Sequence, residues 1–121
     1  MSKILIVDDE IEICEFLKEY FTDRNYDVVT ASSGKEALQK VDNENPHVLL
    51  LDLKMPGIDG LQVLKAVKAK NSKLKVIMIT AVETNDKINE AFKLGADNYI
   101  TKPLSLEELE RDVKEKIAKI V

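Results

Sequence analysis

The chain has 121 residues and a mass of 13.6 kDa, is 45% hydrophobic and 33% charged, and carries 18 basic against 22 acidic residues for a net charge of −4. That length suits one compact domain burying roughly two-thirds of the surface its unfolded chain exposes, and the hydrophobic share excludes a disordered chain. No basic run could hold a phosphate backbone, so direct nucleic-acid binding is not expected, and no apolar run exceeds four residues, so no membrane span is expected either.

Ile4-Leu5-Ile6-Val7 opens the chain as a continuous apolar, β-branched run, the pattern of a strand buried on both faces of a parallel sheet. The N-terminal residues lack the apolar core of a signal peptide, so no secretory leader is expected and the fold is expected to begin here. Ile11, Cys14, Leu17 and Phe21 then recur at helical spacing, which predicts an amphipathic first helix. Cys14 is the lone cysteine; it can form neither an intrachain disulfide nor a zinc cluster, which predicts a cytoplasmic chain with a small buried thiol on that helix. Asp27–Ala31 is shorter and more polar, as an edge strand would be. Ser33-x-x-Glu36 has the capping-box pattern and predicts the start of the second helix.

Val48-Leu49-Leu50-Leu51 and Val76-Ile77-Met78-Ile79 repeat the buried-strand pattern, and Asn98–Thr101 reads as the second edge strand. Ahead of it, Ile88, Ala91 and Phe92 are the apolar positions expected to grip a loosely held fourth helix, which Gly95 closes in a left-handed conformation. A second capping-box pattern, Ser105-x-x-Glu108, opens the last helix, whose Leu106, Leu109, Val113, Ile117 and Ile120 oppose Glu107, Glu110, Arg111 and Lys114. Alternating strands and helices predict a doubly wound α/β domain with right-handed crossovers, five parallel strands and the order 2-1-3-4-5. Ligands of such sheets bind beyond the carboxyl ends of the strands, where the winding reverses between the first and third.

Asp8-Asp9, Asp52, Thr80 and Lys102-Pro103 leave the carboxyl ends of four strands and converge there. Carboxylates about 4 Å apart repel by roughly 4 kcal/mol at an effective dielectric near 20, so three of them imply a cation. All-oxygen ligation with few protein carboxylates suits Mg2+ better than Ca2+. Three carboxylates, Mg2+ and Lys102 sum to zero charge. Taken singly, each residue has a plainer role: Asp9 as an N-cap paired with Glu12, Asp52 as the opener of the turn at Pro56-Gly57, Lys102 as a solvated lysine, Tyr99 as packing under an edge strand. Their coincidence on one edge is what argues for chemistry. His47 begins the third strand and lies at the opposite end, away from any such role.

Asp8-Asp9-Glu10, the run from Asp52 through Leu53, Lys54, Met55, Pro56, Gly57, Ile58 and Asp59 to Gly60, Thr80-Ala81, and Tyr99-Ile100-Thr101-Lys102-Pro103 follow the first, third, fourth and fifth strands in this order. In these motifs the chain resembles the receiver domains of two-component response regulators over nearly its whole length. The resemblance implies a flavodoxin-like (βα)5 fold and makes Asp52 the acceptor of a phosphoryl group from a phosphohistidine on a histidine kinase or phosphotransfer protein. It implies that Asp9, Asp52 and the Lys54 carbonyl bind Mg2+ directly, with Asp8 acting through water and Mn2+ able to substitute. Thr80, Lys102 and the amides of Lys54 and Ala81 would contact the phosphoryl oxygens, and the Lys102–Pro103 peptide would be cis. Such a chain catalyses only its own phosphorylation and slow dephosphorylation. Thr80 moving toward the phosphoryl group would let Tyr99 turn inward, altering the surface of the fourth helix, fifth strand and fifth helix for an output domain or protein, or for a phosphorylation-dependent homodimer. Leu104 stands where the family often has phenylalanine, and Lys54 and Val82 occupy variable positions beside the crevice that would tune the lifetime of the acyl phosphate.

Other functions on the same fold fit less well. A flavin phosphate would be repelled by Asp8-Asp9-Glu10, and Gly34-Lys35-Glu36 lacks the first glycine and the hydroxyl of a nucleotide-binding loop. An aspartyl-phosphate phosphohydrolase would carry a second acid where Lys54 stands. A receiver that has lost phosphorylation and serves only as an interaction module remains a distinct alternative.

Overall fold

A computed structural model describes residues 2–55, 57 and 59–120. Strands β1 (Lys3–Val7), β2 (Asp27–Ala31), β3 (Val48–Leu51), β4 (Lys75–Thr80) and β5 (Asn98–Thr101) alternate with helices α1 (Ile11–Thr22), α2 (Gly34–Glu44), α3 (Gly60–Lys70), α4 (Asn85–Lys93) and α5 (Leu106–Ala118). The sheet is parallel throughout, in the expected order β2-β1-β3-β4-β5. β1 and β4 each begin one residue ahead of their apolar runs, because ladder hydrogen bonds need only backbone: Lys3 pairs with Asp27 and Lys75 with Val48.

Side-chain alternation divides the core between the two faces of the sheet. Leu5, Leu49, Leu51 and Met78 pack with Val41, Val63, Leu64, Val67 and Ala91 of α2, α3 and α4. Ile4, Ile6, Leu50, Ile77 and Ile100 pack with Cys14, Leu17, Phe21, Leu109 and Val113 of α1 and α5. Both faces are covered, which is why the central strands are apolar between the lysines that open β1 and β4 and the residues that end them.

Several local expectations are corrected. Ile11 is 66% exposed; at about 100° per residue, Cys14, Leu17 and Phe21 cluster within about 60° while Ile11 falls nearly a quarter-turn away. Phe92 is also exposed, leaving buried Ala91 and half-buried Ile88 to hold α4. Ile120 lies beyond the end of α5. Neither serine pattern closes as a full box: Ser33 and Ser105 accept the amides of Glu36 and Glu108, but the Glu36 carboxylate takes the amide of Ser32. The complete box is one the sequence reading did not single out, at Asp59 and Gln62 ahead of α3.

α5 also hides a polar pair. Asp112 and Lys116 are buried, with Lys116 Nζ donating to Asp112 Oδ1 (2.7 Å) and Asn98 Nδ2 to Asp112 Oδ2 (2.9 Å), which ties α5 to β5. Gly95 adopts φ +106° as expected.

Gly60 sits directly behind the end of β3. A Cβ there would lie 2.4 Å from the Asp52 carbonyl oxygen and 2.6 Å from Leu53 Cα, both backbone atoms that cannot yield cheaply. Gly60→Ala is expected to lower the unfolding free energy by about 2–3 kcal/mol in urea denaturation and to shift the amide resonances of Asp52 and Leu53. An unchanged midpoint would show that the loop relaxes freely. Pro56 and Ile58, which belong to the motif after β3, lie outside the described residues.

Candidate functional site

Adjacent strand ends position the acids. The Asp8 amide donates to the Ala31 carbonyl at the end of β2 (3.2 Å) and the Asp52 amide to the Val7 carbonyl at the end of β1 (3.0 Å). Both side chains are buried, whereas Asp9 and Glu10 are exposed. Across the sheet, the Lys102 amide donates to the Thr80 carbonyl (2.8 Å), so the lysine leaves β5 beside the end of β4. The Lys102–Pro103 peptide is cis.

One ammonium joins these elements. Lys102 Nζ donates to Asp8 Oδ2 (3.0 Å) and Asp52 Oδ2 (3.2 Å), and lies 3.6 Å from Glu10 Oε1. The remaining carboxylate oxygens accept backbone amides: Asp8 Oδ1 from Glu10 (3.0 Å) and Asp52 Oδ1 from Lys54 (3.2 Å). Asp52 therefore makes the local turn contact of its plainer role and faces Lys102 with its other oxygen. Asp9 does not cap α1; Glu10 occupies that position. Lys102, with its side chain 18% exposed, is not a solvated surface lysine.

A crevice of about 330 Å3 lies over these groups, lined by Asp9, Glu10, Asp52, Lys54, Thr80, Ala81 and Lys102. Oxygens of Asp8, Asp9, Glu10 and Asp52 lie within 4.8 Å of one another. Such a donor set, all hard oxygen and all anionic, fits a hard divalent cation and no soft metal. A larger depression of about 570 Å3 adjoins it, sharing Asp9 and Lys54, and its floor of Leu53, Met55, Leu61 and Val82 carries no comparable chemistry.

Proton affinities follow from this arrangement. Burial raises the Asp8 pKa and the Asp52 charge adds to it, against the opposing pull of the Glu10 amide and Lys102. Burial alone would lower that of Lys102, but its hydrogen bond to Asp8 and the charges of Asp52 and Asp8 outweigh it, and the net shift is upward. The Cys14 thiol, donating to the Asp8 carbonyl (3.3 Å), is pushed up first by burial and then by the Asp8 charge, as suits an unreactive packing residue.

Thr80 and Tyr99 already meet through Val82. Thr80 Oγ1 accepts the Val82 amide (3.3 Å) and the Tyr99 hydroxyl donates to the Val82 carbonyl (2.6 Å), the half-buried ring lying against the α2–α4 side of the core. His47 sits at the far end of the sheet, its Nδ1 accepting the Lys3 amide (3.0 Å). Sequence reasoning assigned no role to Glu10 or to the Val82 carbonyl; adjacency to Asp8-Asp9 was the signal for the first, and none existed for the second.

These features define a doubly wound α/β protein with an acidic, all-oxygen centre closed by one lysine. A family model described as the response regulator receiver domain matches residues 4–114, and the chain belongs to that family, the signalling domain of two-component regulators. It is 40% identical over 113 residues to sporulation initiation phosphotransferase F of Bacillus subtilis, covering 93% of this chain and 91% of the relative. It is 41% identical to the alkaline phosphatase synthesis transcriptional regulatory protein PhoP of the same organism, where the match covers 93% of this chain but spans only 47% of the relative. Among solved structures, a CheY-like receiver domain protein from Methanospirillum hungatei superimposes with a TM-score of 0.96 at 31% identity, covering 98% of this chain and 95% of that one. The regulator TrrA of Thermotoga maritima, in complex with Mg2+-BeF, gives 0.87 at 37% identity, with 96% and 99% coverage. No helix among the described residues is long and apolar enough to cross a membrane.

Proposed function

We propose that Asp52 accepts a phosphoryl group from a phosphohistidine on a histidine kinase or phosphotransfer protein in the cytoplasm, and that the acyl phosphate switches the surface of α4, β5 and α5 for an output partner. The observation that carries this reading is the Lys102 ammonium held 3.2 Å from buried Asp52 beside two further acids. In the transfer, an Asp52 carboxylate oxygen attacks phosphorus in line; the P–O bond forms as the P–N bond to the donor imidazole breaks, and the imidazole leaves with a proton.

Asp9, Asp52 and the Lys54 carbonyl would hold Mg2+, or Mn2+ in its place, with Asp8 acting through water; the tight oxygen cluster supports that choice. When bound, the ion supplies positive charge to the phosphoryl oxygens. Lys102 and Thr80 would meet those oxygens, together with the amides of Lys54 and Ala81, the former turning from Asp52 Oδ1. The chain would thereby promote its own phosphorylation and slow hydrolysis by positioning and electrostatics. Thr80 giving up the Val82 amide for the new phosphoryl group would disturb the loop that also holds Tyr99, biasing an existing equilibrium.

Incubation with Mg2+ and acetyl phosphate should add the mass of one phosphoryl group to the native chain and none to Asp52→Asn. Equal labelling of the variant, or none of the native chain, overturns the assignment, the latter outcome favouring a passive interaction module.

A further inference from the structure

Glu10 is an unsuited residue for its position in the helix. It is the N-cap of α1, where serine, threonine, aspartate or asparagine would accept an amide of the first turn, and its side chain makes no capping bond. Its amide is pinned to Asp8 Oδ1 (3.0 Å), and its carboxylate lies 3.6 Å from Lys102 Nζ at the mouth of the crevice. Capping does not account for it; beyond the favourable placement of an acid at a helix N-terminus, its carboxylate faces the crevice.

With Glu10 included, the cluster holds four carboxylates, three of them paired with the Lys102 ammonium, and their charges with that of Lys102 sum to −3, which a dication brings only to −1. The three-acid sum that reaches neutrality omits this residue. The excess charge acts with opposite sign on the two species the crevice would receive, attracting a dication and repelling a phosphoryl group. It also gives Lys102 a third partner, at the mouth, in competition with phosphoryl oxygens.

We propose that Glu10 is a positioning residue of the phosphorylation site, which strengthens cation binding and weakens retention of the phosphoryl group by drawing Lys102 toward the mouth of the crevice. This rests on the reading of the crevice given above. Its exposure limits the effect: a unit charge about 5 Å from a dication in water-like dielectric, screened by salt, changes affinity by about three- to tenfold.

The test uses Glu10→Gln, which keeps the shape and removes the charge, with Glu12→Gln as control, an acid of the first turn of α1 outside the cluster. Mg2+ is titrated by NMR without any phosphodonor, and beryllofluoride, a phosphoryl mimic, is then titrated at saturating Mg2+. Glu10→Gln should raise the Mg2+ dissociation constant about three- to tenfold and lower the beryllofluoride half-saturation by a similar factor, while Glu12→Gln moves neither. Loss of fold integrity would weaken both ligands together. Joint weakening, a shift in only one, no shift, or equal shifts in the control overturn the role of Glu10. Failure of the native chain to bind Mg2+ at all would instead overturn the reading of the crevice, and with it this inference.

Discussion

Phe21→Ala should remove about 3–5 kcal/mol of stability, the cost of deleting a large aromatic from a fully enclosed site. Phe21 is 0% exposed, and its ring meets Tyr20 and Tyr26 edge-on at centroid distances of 5.2 and 5.5 Å. It anchors the C-terminal turn of α1 to the sheet face that also carries Ile4, Ile6 and Leu50. Against a total of about 5–15 kcal/mol for a domain, the loss would leave the variant marginal. Urea unfolding at constant m-value reads it as a lowered midpoint. Ile11→Ala, on the same helix but 66% exposed, should move the midpoint by less than about 0.5 kcal/mol. Comparable losses in the two variants would mean that α1 is rotated from the orientation described.

Lys102→Met should cost about 3 kcal/mol in metal-free buffer, near the lower end for breaking a buried ion pair because the crevice opens to water. Methionine keeps most of the stem volume but leaves Asp8 and Asp52, both under 10% exposed, without their shared ammonium. Millimolar Mg2+ should then restore stability to the variant more than to the native chain, since a ligand stabilises the folded state in proportion to its binding. The rate of labelling by acetyl phosphate should fall about 10²–10³-fold, as when one transition-state donor is lost. The pH dependence gives a separate sign. The folded pKa of Lys102 is raised above its ordinary 10.5, so its contribution is complete below that value and is lost as pH climbs through the folded pKa. Asp8 is also raised, so ionising it weakens the fold as pH rises from its ordinary 3.8 through its folded value. The native chain should lose stability through the alkaline window, and Lys102→Met should lack the part due to this group. Full stability and full labelling in the variant would show the ammonium to be dispensable.

The sheet was legible because its signals are local. A buried parallel strand must be apolar on both faces, so Ile4–Val7, Val48–Leu51 and Val76–Ile79 declare themselves, and the polar β2 and β5 fall to the edges. Once strand ends are known, Asp8, Asp52, Thr80 and Lys102 must share one rim, and the chemistry follows from residue type. The periodicity of α4 could not say which of its apolar residues face inward, since Phe92 belongs to the pattern yet points to solvent, whereas the angular spread of α1 already set Ile11 apart. That depends on how each helix is rolled on the sheet, a consequence of packing with distant residues. The same holds for the contacts of Lys102 with Glu10, Asp112 with Lys116 and Asn98, and Tyr99 with Val82. Apart from Asp112 and Lys116, one helical turn apart, each joins chain segments 14 or more residues distant, and closing such separations to about 3 Å is settled by strand register and helix docking. Composition and spacing thus determined the architecture and the acids at its rim; tertiary structure alone decided that Glu10 would join Asp8 and Asp52 as a third carboxylate beside Lys102.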